Sequence, residues 1–319
     1  MQLTSARKKL LVQGYTIDKL DPKIKRNIYK WKMVEDSVPN EEFNDYPIFG
    51  VVGFDFNKIS ERETPLADLF MHMYPGNWRD LLSNMNEAIK ARECATFKLV
   101  SQREWFQFHA IIFVAHPYGE GGAYLVSTNV NGFERAPNVG EHGMKAWRFK
   151  QIMKYFPYSF VHPSVSEEDD KWYMISWFVE AYNKKRRETV AASRALTIDE
   201  SMTAWKPRTS KTGGLPNISY IMRKPEPLGI EWKVTCCTVT GIILKLEIMR
   251  GKEGMKNSKY QSEYGATTAC VVRHVEATTG CGRPANEHPM GTHKSGDSWF
   301  ASVKTAEQLA LQNHEYVGP

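Results

Sequence analysis

The chain has 319 residues, 42% hydrophobic and 12% aromatic, enough to fill at least one core and unlike the composition of a disordered polymer. Lys and Arg number 42 against 36 Asp and Glu, a net charge of +6 that is compatible with a polyanionic partner but too mild to demand one. The five cysteines (Cys94, Cys236, Cys237, Cys270, Cys281) are odd in number and form no Cys-x-x-Cys pair, which argues against a secreted disulfide framework.

Residues 1–45 hold scattered cations (Lys8, Lys9, Lys23, Lys25, Arg26, Lys30, Lys32) with little apolar periodicity. They read as a basic arm, either tracking a phosphate backbone or simply solvated. The start, MQLTSARKKLLVQGY, lacks the apolar stretch of a signal peptide. The longest apolar run, residues 108–115, falls far short of the roughly 20 residues of a membrane helix. An intracellular chain with no membrane partner is expected.

Thr64-Pro65 is a helix start, Thr as N-cap and Pro in the first position. Leu66, Leu69, Phe70 and Met73 follow at i, i+3, i+4 and i+7, one buried face. Pro75-Gly76 breaks that helix, and Trp78, Leu81, Leu82 and Met85 resume the spacing. Ser101 with Glu104 makes a capping box ahead of an apolar run to Phe113. Gly119 to Gly122 and the residues up to Gly143 read as one long loop. Phe149, Ile152, Met153 and Phe156 mark a helix that stops at Pro157. A last helix is expected from Ser166, with Glu167, Glu168, Asp169 and Asp170 at the positive end of its dipole and the basic residues 184–187 at the negative end. That basic run fits a nuclear import signal as well as a helix C-terminus. Residues 46–190 are therefore expected to be helical.

After Ala191 the period falls to about two. Residues 195–198 form a short apolar strand ending in Asp199. Residues 232–238 and 242–248 alternate as a hairpin around Thr240-Gly241. Residues 250–294 show little pattern, and Asp297 then precedes a helix over residues 302–312. Taken alone, each acid has an ordinary reading: Asp199 caps a turn with Glu200 and Ser201, and Asp297 prepares the following helix. Cys270, His274, Cys281, His288 and His293 are zinc-ligand types, but their spacing matches no finger or ribbon, and a loop that happens to hold them is the other reading.

Three blocks, in order, resemble one family. Leu196-Thr197-Ile198-Asp199-Glu200-Ser201-Met202 with Trp205-Lys206-Pro207-Arg208 resembles the first catalytic block of piggyBac-type transposases. Tyr220-Ile221-Met222-Arg223-Lys224-Pro225 with Gly229 and Lys233 is similar to the family's Tyr, Lys-Pro, Gly, Lys signature. Gly296-Asp297-Ser298-Trp299-Phe300-Ala301-Ser302-Val303, with Leu309 downstream, resembles its second catalytic block, with Ser298 where the family often has Asn. Upstream, Arg148-Phe149-Lys150-Gln151-Ile152 and Asp170-Lys171-Trp172-Tyr173 resemble segments of the helical domain that precedes the catalytic one, so the likeness covers roughly residues 60–317.

The resemblance implies an α/β chain: a helical dimerisation or DNA-binding domain over 46–190, then an incomplete ribonuclease-H-like mixed-sheet domain over 191–319. It implies DNA cleavage and strand transfer in which three carboxylates hold two divalent cations, Mg²⁺ or Mn²⁺. One cation activates a water or 3′-hydroxyl and the other steadies the leaving oxygen. Asp199 and Asp297 stand as first and second acid, catalytic and metal-binding, within roughly 4–7 Å of each other given oxygen–metal distances near 2.0–2.6 Å. Glu200 is expected outside the ligands. Lys206, Arg208, Arg223, Lys224 and Lys233 are expected to face DNA, both transposon ends and target. A second copy of the chain is a candidate partner, and the nucleus the expected compartment. The family's third acid and its Cys-rich terminal-repeat module would lie beyond Pro319. The resemblance therefore implies a truncated chain, inactive as given, with an open sheet edge beside the second acid. The alternative is a non-catalytic remnant that binds DNA or a full-length transposase.

Overall fold

The computed structural model describes residues 50–51, 65–93, 97–115, 143–161, 164–193, 195–205, 214–279, 293–312 and 314–318. The basic arm, most of the long loop at 119–143, Lys206, Arg208, Cys281 and His288 lie outside these residues, as does the side chain of His293. The chain divides into two units, residues 74–185 and residues 1–73 with 186–319.

In the first unit, Pro75-Gly76 ends one helical run, and Asn77 caps the next, α2 (Trp78–Arg92), by accepting the Arg79 N–H at 3.0 Å. Leu81, Met85 and Ile89 bury its inner stripe. α3 (Gln102–Ala115) opens on the reciprocal box read from sequence. The Ser101 N–H donates to the Glu104 carboxylate at 3.0 Å, and the Glu104 N–H donates to Ser101 Oγ at 3.3 Å. Trp105, Phe108 and Ile111 are buried along α3, while Phe113 at its end is exposed.

α4 (Ala146–Tyr155) buries Phe149, Ile152 and Tyr155 and passes into a 3-10 turn, Phe156–Phe160, where Pro157 has no N–H to continue an α-helix. Aromatic rings fill this unit's core, with Phe108 4.9 Å from Phe149 and Phe160 4.9 Å from Phe178, centroid to centroid. The last helix, α5 (Tyr173–Thr189), starts later than Ser166. Asp169 accepts both the Ser166 N–H (3.0 Å) and its hydroxyl (2.7 Å), which closes a separate turn, and Asp170 accepts the Trp172 N–H at 2.8 Å at the true entry.

The second unit holds a two-stranded ribbon, β1 (Gly50–Val51) against β2 (Val190–Ala191), and α1 (Pro65–Met73). The face expected on α1 is only partly covered: Leu66 is exposed, whereas Met73 packs against a cluster of Val190, Ala192, Leu196, Cys237 and Leu244. Beyond these lies a six-stranded mixed sheet. β3 (Ala195–Ala204) runs antiparallel to β5 (Leu228–Cys237), which also pairs with β4 (Ser219–Tyr220) and β6 (Ile243–Ile248). On its other edge β3 runs parallel to β7 (His293–Gly296), and β7 parallel to β8 (Glu315–Val317).

Asp199 therefore does not end its strand. Pairing with β5 carries β3 past the apolar residues to Ala204, and Asp199 lies mid-strand. The pairing is close at Gly229, where a Cβ would lie 2.0 Å from the Thr203 carbonyl oxygen. The β5–β6 hairpin turns where expected, with Gly241 at φ +70° and its N–H donating to the Cys237 carbonyl at 2.8 Å. The edge expected to be open beside Asp297 is filled, because β8 pairs with β7.

The described part of 250–294 holds three helices: α6 (Gly251–Met255), α7 (Gln261–Tyr264) and α8 (Ala266–Thr278). α8 is buried on nearly every side, so it carries no polar stripe to reveal it. With α9 (Val303–Leu311), capped by Ser302 Oγ accepting the Thr305 N–H at 3.0 Å, and with Phe300 of the preceding turn, it covers Ile198 of β3 through Val271, Val275 and Leu309. No helix among the described residues is long and apolar enough to cross a membrane.

Candidate functional site

β3 and β7 are parallel neighbours in register from Ala195↔His293 to Ile198↔Gly296, so their next residues, Asp199 and Asp297, emerge side by side. One carboxylate oxygen from each of Asp199, Glu200 and Asp297 lies within 4.8 Å of the others. Two oxygens on one cation at 2.0–2.6 Å can be separated by at most about 5.2 Å, so any two of these acids lie close enough to share a hard cation.

Each acid is held differently. Asp199 faces solvent from the sheet centre, and its Oδ1 accepts the Glu200 N–H at 2.7 Å. Burial, and then the neighbouring Glu200 charge, pushes its carboxyl above the ordinary range. Asp297 follows the end of β7. Its Oδ1 accepts the Trp299 N–H at 2.9 Å, and its carbonyl accepts the Phe300 and Ala301 N–H groups. Glu200, expected outside the ligands, is buried, and one of its carboxylate oxygens lies beside those of Asp199 and Asp297. Burial raises its carboxyl, but the Lys224 hydrogen bond and the charges of Lys224, Lys233 and Arg223 outweigh this and hold it below the ordinary range. Glu200 Oε1 takes an ion pair from Arg223 and another from Lys224 at 3.3 Å, whereas Oε2 is buried with no hydrogen-bond partner among the described residues.

An all-oxygen donor set and a buried orphan carboxylate oxygen fit a hard divalent cation. Three acids so close repel one another unless cations compensate them, and Arg223 and Lys224 already supply part of that charge.

The basic residues expected to face DNA take several positions. Arg223 is more than half exposed and bridges Glu200 and Asp297, the latter at 3.4 Å. Lys224 is mostly covered and also donates to the Glu200 carbonyl at 3.4 Å. Lys233 is not at a DNA-facing surface. It is 2% exposed, paired with Glu231 at 2.8 Å, and its ammonium sits 3.6 Å from the Trp299 ring centroid, because β5 turns it inward beneath the Trp299-Phe300 pair. The adjacency of Arg223 and Lys224 to a Pro was a visible signal, but their service to the acids depends on how the turn at 221–226 folds back over β3.

Of the zinc-type residues, Cys270 and His274 stack on one face of α8 and meet Glu247 of β6. Glu247 is already clamped by Arg273 Nε and Nη2 at 2.7 and 2.9 Å. The Lys245 ammonium adjoins the group, donating to the Arg273 carbonyl at 2.9 Å. The positive charge is in place without a metal, which makes this group a structural ion pair.

Residues 130–319 match the model of a family described as transposase IS4. No curated protein matches the sequence. Among solved structures, the fold is similar to a chain from the cryo-EM structure of a piggyBac transposase synaptic complex with hairpin DNA, with a TM-score of 0.57 and 15% identity over 78% of this chain and 49% of that one. The present chain thus spans about half the length of that structure, and the likeness is one of fold. Its helices and mixed sheet accord with a ribonuclease-H-like domain preceded by a helical one.

Proposed function

The chain belongs to the transposase family described as IS4, and on that footing we propose that it is a piggyBac-like, transposase-derived DNA-binding protein whose acid cluster holds Mg²⁺ or Mn²⁺. The observation that carries the reading is the convergence of Asp199, Glu200 and Asp297, one carboxylate oxygen of each lying within 4.8 Å of the others. A bound cation of this kind polarises a phosphoryl oxygen and lowers the pKa of its water, the chemistry of phosphodiester cleavage.

The chain's own residues preorganise that centre. Asp199 sits on a central strand paired on both edges, and Asp297 is locked by the Trp299 N–H, so neither carboxylate must be ordered on binding. Lys224 keeps Glu200 ionised against its burial. Lys206, Arg208 and the exposed Arg223 supply phosphate contacts, and DNA in the nucleus is the partner.

The three acids come together at one position, where Arg223 and Lys224 offset part of their charge in the metal-free protein. A pair of metals about 3.5–4 Å apart is what clamps attacking and leaving oxygens. A single cation position among the described acids favours DNA and cation binding over complete strand transfer.

Mn²⁺ titration of the 319-residue protein, followed by the electron paramagnetic resonance of free Mn²⁺, tests the site. One ion per chain is expected, weakened about ten-fold or more in Asp199→Asn and in Asp297→Asn, the loss of one charged ligand. DNA affinity should fall steeply with salt and vary little with sequence. Mn²⁺ binding unchanged in both variants would overturn the assignment.

A further inference from the structure

We propose that Arg223 is a built-in counter-ion of the acid cluster, displaced when a divalent cation binds and thereby released to a DNA phosphate. The inference rests on the reading of Asp199 and Asp297 as a cation site.

Three observations converge on it. The guanidinium lies between Glu200 Oε1 and Asp297 Oδ2, acids that a cation would share. Among the described residues both contacts use Nη2, which leaves Nη1 and Nε to meet a second anion. The side chain is 59% exposed, on a turn tied down at its base by the Ile221 N–H to the Pro227 carbonyl (2.8 Å) and the Lys224 N–H to the Ile221 carbonyl (3.0 Å). The arm can therefore swing while its turn stays in place.

Charge decides the direction of the exchange. Three carboxylates with Arg223 and Lys224 leave one negative charge, and adding a divalent ion to that set leaves one positive charge. Exchanging Arg223 for the ion leaves none. Lys224 remains behind, since it is mostly covered and holds both the Glu200 side chain and its carbonyl. A guanidinium expelled beside a bound cation meets a phosphodiester readily, because its planar fork matches phosphate geometry. Cation binding and DNA binding then reinforce each other, and by linkage the reinforcement is reciprocal.

The test uses the 319-residue protein and its Arg223→Gln and Arg223→Lys variants, with Mn²⁺ affinity measured without DNA and duplex affinity measured by fluorescence anisotropy with and without Mn²⁺. Removing a unit charge a few ångströms from the ion should tighten Mn²⁺ binding about ten-fold in Arg223→Gln. Arg223→Lys should stay near the wild-type value. Mn²⁺ should strengthen duplex binding several-fold in the wild type and lose that effect in Arg223→Gln. Thermal melts check that all three are folded, as expected for an exposed turn. Equal or weaker Mn²⁺ binding in Arg223→Gln, while Asp297→Asn still weakens it, would overturn the counter-ion role and leave the metal site standing. Mn²⁺ binding insensitive to Asp297→Asn would instead overturn the site on which this inference rests.

Discussion

Arg148 of α4 clamps Glu104 of α3 with two parallel hydrogen bonds, Nε to Oε1 at 2.8 Å and Nη2 to Oε2 at 3.1 Å, while Glu104 also closes the N-terminus of its own helix through Ser101. The same guanidinium satisfies the Lys98 and Leu99 carbonyls at 2.9 and 3.0 Å. Arg148→Ala removes the donor of the Lys98 and Leu99 carbonyls and leaves the mostly covered Glu104 carboxylate without its guanidinium partner, held only by its Ser101 bonds, and should destabilise residues 74–185 by about 3 kcal/mol. Urea denaturation followed by the fluorescence of Trp105 measures it. Burial alone would raise the Glu104 carboxyl, but Arg148 and the Ser101 bonds lower it to about 2. The pair's contribution is therefore complete above roughly pH 4.3, the unfolded value, and fades as pH falls towards 2.

The helices that declare themselves in the sequence are those with one wet face and a chemical start signal. Leu81, Met85 and Ile89 repeat on α2, and Ser101 with Glu104 announces α3. α8 lacks both cues, since Ala269 to Val275 is buried all round, and a helix without a polar stripe has no period to read. Strand ends are hidden for another reason: β3 outlasts its apolar residues because the β5 ladder holds it, so Asp199 looks terminal in sequence and is central in space. The pairing of Asp199 with Asp297 could be anticipated from family-like blocks, whereas Arg223 over Glu200 could not, because alternation along a strand says nothing about which turn folds across it.

Gly229 lies where β3 passes close to β5, and Gly229→Ala would drive a Cβ to 2.0 Å from the Thr203 oxygen, a backbone atom that cannot yield without moving β3. The expected cost is about 3 kcal/mol, the upper end of ordinary overpacking. Because β3 carries Asp199 a few residues away, the same variant should weaken Mn²⁺ binding. A lowered urea midpoint together with lowered Mn²⁺ affinity is the expected pair of results.

His274 is fully buried, its Nδ1 2.7 Å from Thr235 Oγ1. Burial lowers its pKa to about 4, more than Glu247 restores. His314 is lowered to about 4 as well, by burial and then by the charge of Lys294. A histidine whose folded pKa is depressed is protonated first in the unfolded chain. Its stabilisation is thus complete above about pH 6.5 and declines as pH falls towards 4, by up to about 3 kcal/mol for one such group. Residues 186–319 should therefore lose stability between pH 7 and 5, and His274→Gln should flatten that slope whatever it does to stability at pH 7. Urea midpoints at the two pH values supply the comparison.

Asp199→Asn should act in opposite directions with and without metal. In the metal-free protein the ionised carboxylate is disfavoured, first by burial and then by Glu200, so its folded pKa lies above the unfolded one. For an acid this means that ionisation costs stability, a cost that grows as pH rises above the unfolded value. Asn keeps an oxygen for the Glu200 N–H and drops the charge, so the variant should be more stable in a metal chelator. Solvent reaches this side chain and screens the repulsion, so the gain is modest, up to about 1 kcal/mol. With saturating Mn²⁺ the order reverses. The wild type gains the free energy of occupying a site held by three acids, and the variant, one ligand charge short, gains less. Thermal melts in chelator and in Mn²⁺ should cross over, with Asp199→Asn melting higher in the first and lower in the second. If the variant melts lower in both, the carboxylate supports the fold, and the strain assigned to the cluster is absent.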